Sequence, residues 1–395
     1  MSANLVAPIR HGTVAMLGIL TICTYGCWYY AFGVLLDPII DDTGWRESTL
    51  ASSFSAGQVL IGVTSLAGGR LLDRVGHRLV FAVGAVVTGA ALLLASVASS
   101  APVFFVGAMV GLGASGALGF YHVTMPTVVR LNEDGPRAIT LLTIWGALAS
   151  AIFLPVTAWL VEALEWRATV RVLAAAGGGA FAIAAITLPA APAGDPTART
   201  PISAILRSAI NRPDTRLFTA AMAFGGIAMA TMLVYQVPTM TSLGLGAATA
   251  SSIAALRGFC QLLGRLPLTP IINRLGLDRA LVVAFCAVTA SGVLLAVSSS
   301  VPVGIVFAIV AGFGIGAFSP LQGMKTEALF TRDDLGATMG LYAAVLVLAG
   351  SLGPFIAGFV VEATDDRRWA AGIVAASGAA ALVCFALMFQ VSRSR

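Results

Sequence analysis

Charge is what this chain lacks most. Only 10% of its 395 residues are Asp, Glu, Lys or Arg, against roughly 25% in soluble globular proteins. That excludes the two or three soluble domains its length would otherwise allow. Catalytic signatures are missing too. The sequence holds no HExxH, no nucleophile elbow, no P-loop and no appended soluble domain, which argues against an enzyme, a receptor and direct ATP drive. Its five cysteines (Cys23, Cys27, Cys260, Cys286, Cys384) form no CxxC and no Cys/His cluster. Neither disulfides nor a metal site is expected, and no cofactor is implied.

What the chain has instead is apolar. Hydrophobic residues make up 58%, mean hydropathy is +0.92, and there are 43 glycines. Spans need about 20 apolar residues each, so with short loops the length holds about twelve. The breaks between charge clusters and turn residues predict spans at 13–38, 48–71, 79–98, 102–129, 137–162 and 167–188. A second set is predicted at 216–240, 248–271, 280–298, 302–329, 337–362 and 369–390. Segment 189–215, rich in Pro, Arg and Asp, is the one long linker, and a short surface helix is expected near 201–210. The first apolar stretch is too long for a signal-peptide core and precedes no A-x-A site, so it is expected to be retained as a span.

The two sets repeat at an offset of 200 residues. LDPII (36–40) matches QVPTM (236–240), DRVG (73–76) matches NRLG (273–276), and VEA recurs at 161–163 and 361–363. The predicted fold is an all-α membrane protein with twelve transmembrane helices in two pseudo-symmetric halves, residues 1–188 and 216–395. Repeats of this kind build transporters that rock about a site near mid-membrane. With the N-terminus inside, cytoplasmic segments hold fifteen Lys/Arg residues and the opposite loops four. The positive-inside rule then puts both termini in the cytoplasm of a cell membrane. It also accounts for the net charge of +5 without a nucleic-acid partner. A monomer in the lipid bilayer is expected.

Between spans two and three lies GRLLDRVGHR (69–78), which reads G-x3-D-R-x-G-x-R. This resembles the signature loop of the major facilitator superfamily, with a decayed copy, TPIINRLGLDR, at 269–279. The resemblance implies a cytoplasmic gate built from Gly69, Asp73, Arg74, Gly76 and Arg78, with Arg274 facing Glu327. A narrower resemblance is to the monocarboxylate and oxalate/formate branch. It rests on YYAFGVLLDPIIDDTGWRES (29–48), EALEWR (162–167) and GPFIAGFVVEAT (353–364). That branch carries an arginine in span eight at the place of Arg265, which implies pairing with a substrate carboxylate. The acidic residue that such carriers place four positions earlier is Gln261 here. Their span-one cation matches Val34, and 337–362 holds no Lys or Arg. A two-cation clamp for a dicarboxylate is therefore not implied.

Ionisable residues inside spans usually face the bundle interior or a water-filled cavity. Arg257, Gln261 and Arg265 fall within a sector of about 80° at about 100° per residue, one polar stripe suited to bidentate capture of an anion. Counting back from Asn273 puts Arg265 near mid-depth and Arg257 toward the outside. Tyr121 is a candidate hydrogen-bond donor to the ligand. Candidate proton carriers are His122, Glu327 and Asp37; the plain alternatives are a packing histidine, a gate residue and a solvated rim carboxylate. Trp45, Trp166 and Trp369 are expected to anchor in headgroups. The expected function is secondary transport of a small organic anion, a monocarboxylate, with protons as a candidate co-substrate. The alternatives are anion exchange without proton movement and export of amphipathic compounds.

Overall fold

The computed structural model describes residues 10–190, 211–329 and 335–393, with side chains additionally left out at 65–74, 135–136, 269, 319, 335–340 and 391–393. The expected surface helix near 201–210 lies outside the described residues. Nearly every described residue is helical. Helix α1 is His11–Thr43. The run Glu47–Ser96 turns at Gly76 into α2 and α3. Helix α4, Ala101–Leu131, is interrupted at the extended residue Phe120. The run Gly135–Thr187 turns at Glu165 into α5 and α6. Then follow α7 (Pro213–Ser242), α8 (Ala247–Arg265, continued by Leu268–Leu275), α9 (Leu277–Ala296) and α10 (Val301–Leu329). Helix α11 is Leu335–Gly350 plus Leu352–Thr364, and α12 is Arg368–Arg393.

Nine of the described helices are long and apolar enough to cross a membrane, the joined α5–α6 run counting once. Helix α8 falls outside that set, since it carries Arg257, Gln261 and Arg265. In lipid, apolar surface gains nothing from leaving the solvent, so close packing of small residues holds such helices together. The abundant glycines serve this.

The 200-residue repeat is written into the backbone. Among the described residues six adopt positive φ, and they form three pairs: Gly44 with Gly244, Gly76 with Gly276, and Glu165 with Asp365. The first two pairs use glycine, which enters this region without steric cost. At Gly76 and Gly276 even the angles agree, with φ 76° and 81° and ψ 160° and 161°.

Each helix crosses between two ends of the bundle. The terminal end holds the start of α1, the finish of α12 and the turns at Gly76 and Gly276. The far end holds the turns at Gly44, Glu165, Gly244 and Asp365. At the terminal end each six-helix half has its own core: Leu17, Phe81, Val128 and Phe181 in one, Phe218, Phe285, Tyr342 and Phe385 in the other. Toward the far end the cores are shared. One joins Trp28, Phe32 and Phe54 to Leu233, Tyr235 and Val361, and another joins Val34 and Leu154 to Met240 and Phe307. The backbones meet where side chains are absent. A Cβ at Gly33 would stand 2.6 Å from the Val234 carbonyl oxygen, and one at Gly258 would stand 2.0 Å from Ser150 Oγ. The far end is closed.

Candidate substrate site

Residues Tyr25–Tyr30 of α1 form a π-helical turn. Such turns are rare and recur at functional sites. The wider turn brings Tyr25, Tyr29 and Tyr30 to one side. Tyr25 stacks on Phe120, with centroids 3.6 Å apart, at the interruption of α4. Tyr29 meets Phe54 and Phe120 at 5.8 and 5.7 Å. This aromatic wall faces α8 across the seam between the halves.

A cavity of about 120 Å³ lies there, lined by Tyr29, Tyr30, Gln58, Met229, Arg257 and Gln261 together with small and aliphatic residues of α7, α10 and α11. It holds no carboxylate. Arg257 is 3% exposed. Its Nε donates to Gln236 Oε1 at 2.7 Å, while Nη2 finds no partner among the described residues. Gln236, itself fully buried, also donates from Nε2 to the Leu233 carbonyl at 3.4 Å. Across the cavity the Gln58 side chain is 2% exposed, and its Nε2 is likewise unpartnered. A buried cation and a buried amide donor thus open into one small space. Isolated charge in such a place costs several kcal/mol, and an anionic ligand relieves it.

Arg265 sits one step away. It is half-buried, its Nε has no partner among the described residues, and it lies within electrostatic reach of Tyr30 and Tyr121. With its continuation α8 runs from Ala247 to Leu275, so its midpoint is Gln261. Arg257 and Arg265 then lie about 6 Å to either side at 1.5 Å per residue.

The other candidates scatter. Tyr121 packs against Tyr25 at 5.4 Å, and its hydroxyl reaches the Thr143 carbonyl at 3.5 Å. His122 places Nε2 3.0 Å from the Ala117 carbonyl oxygen. It thereby serves a carbonyl at the break of α4, where the helical ladder is interrupted. Glu327 is exposed at the terminal end of α10, and Arg274 is exposed on the continuation of α8. Lys325, two residues before Glu327, pairs with Asp278 at 2.6 Å and so joins α10 to α9. Of the loop motif, Gly69, Asp73 and Arg74 lie outside the residues whose side chains are described. Gly76 makes the turn, and Arg78 donates from Nε to the Leu188 carbonyl at 2.9 Å, a cation on the last carbonyls of α6.

Asp37 belongs to the far-end seam. It pairs with Arg367 at 2.5 Å and accepts from Thr241 Oγ1 at 3.0 Å. Arg367 also reaches Glu47 at 3.2 Å, and Arg46 pairs with Glu362. Each of these contacts joins one half to the other. Trp166 corrects the anchoring expectation. It is 3% exposed, and its Nε1 donates to Asp42 at 2.8 Å, with Arg167 over its ring. Trp369, at 55% exposure, faces outward as expected.

Sequence reasoning passed over Gln58, Gln236, Tyr29 and Tyr30. Each is a polar group in an apolar span, the same signal that marked Arg257.

Two six-helix halves closed over a small polar cavity define a multi-pass membrane transporter rather than an enzyme. The particular family follows from comparison: the Major Facilitator Superfamily profile matches residues 17–246 and 216–395, and the chain belongs to that family. It is 27% identical over 343 residues to monocarboxylate transporter 11 of Mus musculus, covering 82% of this chain and 74% of the relative. It is 26% identical over 374 residues to OpdE of Pseudomonas aeruginosa, called a transcription regulatory protein, covering 91% and 89%. Among solved structures, a point mutant of the nucleoside transporter NupG superposes with a TM-score of 0.82 at 16% identity, covering 95% of this chain and 99% of that one. A bacterial homologue of the lysosomal transporter Spinster, inward-facing and occupied, gives 0.73 at 14% identity, covering 99% and 98%. The structural likenesses speak for the fold alone.

Proposed function

We propose that the protein carries a small monocarboxylate by alternating access, its halves 1–188 and 216–395 rocking about the Arg257 cavity and joined by the linker 189–215. The single observation that supports this is the buried guanidinium of Arg257, with Nη2 unpartnered and no carboxylate in the cavity wall. The substrate supplies the missing negative charge. Arg257 grips the carboxylate, Gln58 and Gln261 offer neutral donors, and Met229, Leu233 and Ile315 receive the carbon chain. Arg265 and Tyr121 attend the anion on the terminal side. In this reading the terminal end is cytoplasmic, as the distribution of basic residues indicates, and the molecule is closed to the outside of the cell membrane.

Cavity size bears on the alternatives. About 120 Å³ is well below the roughly 300–1,000 Å³ of pockets that take drug-sized ligands. That favours a short acid over an amphipathic drug. His122, Asp37 and Glu327 remain proton candidates for symport, against exchange without protons. The test is uptake in proteoliposomes of a panel of short monocarboxylates, with and without an imposed pH gradient. Uptake of at least one acid that Arg257→Met abolishes is expected. Lipophilic cations in place of acids would establish the exporter reading instead.

A further inference from the structure

We propose that Glu47 is a proton-binding site of the far-end seam, filled as the seam closes. The argument is a charge count in a confined place. Glu47 heads α2, ahead of its apolar span, and Asp37 stands on α1, both in the first half. The second half brings one guanidinium to them, that of Arg367, at 3.2 and 2.5 Å. Side-chain exposures are 12% for Glu47, 28% for Asp37 and 18% for Arg367. Two carboxylates therefore share one cation in a partly buried seam, and one negative charge is left over.

The other groups around Glu47 do not cancel it. Tyr235 of α7 turns its buried hydroxyl toward the same carboxylate and has no other partner among the described residues; a bond from it favours the carboxylate but, being neutral, leaves the excess charge in place. Glu362 is taken by Arg46. Asp365, Asp366 and Arg368 line a cavity of about 700 Å³ beside Glu47 and add two negative charges to one positive. Asp41 borders the neighbouring cavity with Asp37. Of the two carboxylates, Asp37 has the shorter ion pair and the Thr241 bond. Glu47 has the longer pair, the lesser exposure and a buried Oε1 without a partner. A carboxyl proton on Glu47 neutralises the excess and lets the protonated oxygen donate to the Tyr235 hydroxyl beside it.

When the halves part at this end, Arg367 leaves with the second half, held there by the Pro238 carbonyl. Glu47 and Asp37 then face water as ordinary carboxylates. The closed seam binds the proton more tightly than the open one, so by linkage protons favour closure. Burial raises the Glu47 carboxyl, with Asp37 adding to it, and Arg367 and the Tyr235 hydroxyl only partly lower it. This matches the required sign: closure is favoured below the raised value and lost as pH rises through it. With the far end outside, a proton taken up there commits the carrier to the inward-facing state. The latch is independent of which solute is carried.

The test needs no substrate. Ser99 and Ser299 are exposed residues in matching far-end loops of the two halves. Spin labels placed on them by cysteine substitution, in an otherwise cysteine-free full chain in lipid nanodiscs, report the far-end distance. In the parent protein the closed distance is expected to dominate near about pH 5, with the closed-to-open ratio falling by up to tenfold per pH unit as a single site deprotonates. Glu47→Gln mimics the protonated acid and is expected to hold the closed distance up to about pH 8, which also shows that it is folded. Glu47→Asp keeps the pH response. A parent distance that ignores pH, or a Glu47→Gln protein that follows the parent curve, would overturn the proposal.

Discussion

Replacing Arg257 with Met separates two effects that a merely structural arginine would keep together. In the empty protein the substitution removes a buried charge, whose desolvation costs several kcal/mol. It also removes the bond to Gln236, worth about 1.5–3 kcal/mol as a charged hydrogen bond, and leaves Gln236 Oε1 unpaired at about 1–3 kcal/mol. These terms oppose each other, so thermal stability is expected to stay level or rise. Substrate binding has no such compensation. A carboxylate brought into the cavity against a methionine loses about 3 kcal/mol, close to a hundredfold in Kd. A ligand at 100 times Kd stabilises by about 2.7 kcal/mol, and at a Kd weakened a hundredfold by only about 0.4 kcal/mol. The assay is thermal unfolding of purified protein with and without a short-chain acid, alongside uptake. The expected signature is an undiminished apo midpoint with the ligand shift almost gone. An apo midpoint that drops while the ligand shift survives would refute the site.

Three further outcomes follow from the geometry. Arg265→Ala should raise KM by about tenfold or less, since the half-buried Arg265 stands outside the Arg257 cavity and a charged contact of about 1.4 kcal/mol is at stake; loss on the scale of Arg257→Met would reverse the ranking of the two arginines. His122→Gln should cost about 1 kcal/mol of stability, from the bond to the Ala117 carbonyl, while the pH profile of uptake stays in place; an abolished pH response would make His122 the proton carrier. Gly33→Ala puts a methyl 2.6 Å from the Val234 carbonyl, and overpacking of that kind costs about 1–3 kcal/mol. It should therefore shift the far-end distance toward the open state, and an unchanged distribution would mean that α1 and α7 slide freely there.

Much of the fold could be read before any coordinates. Span positions follow from apolar runs, and the offset of 200 residues is visible in short matches such as DRVG and NRLG. The site was half legible. A lone arginine in an apolar run announces itself, but its depth does not. Counting back from Asn273 gives a distance along the helix, whereas the depth in lipid also depends on where the apolar slab begins and ends, and a helix that breaks after Arg265 and restarts at Leu268 carries no mark of that. The π-helical turn at Tyr25–Tyr30 leaves no mark in hydropathy, since a single added residue per turn does not change composition. The interruption of α4 at Phe120 is equally silent, which hid the role of His122. Trp166 carries the same letter as a headgroup anchor, and only its neighbours Asp42 and Arg167 show that it is interior. The seam is the extreme case. Arg367 and Glu47 are 320 positions apart, and nothing local in either segment names the other.

The three matched turns bear on the ancestry of the chain. From Gly44 to Glu165 in one copy, and from Gly244 to Asp365 in the other, the count of residues is the same. Insertions and deletions since the copying event have therefore cancelled over that whole stretch. What distinguishes the copies there is spelling, not length. The descendants of one ancestral segment became unlike partners by exchanging letters such as Gly57 for Arg257 and Ile61 for Gln261, with the spacing between turns undisturbed.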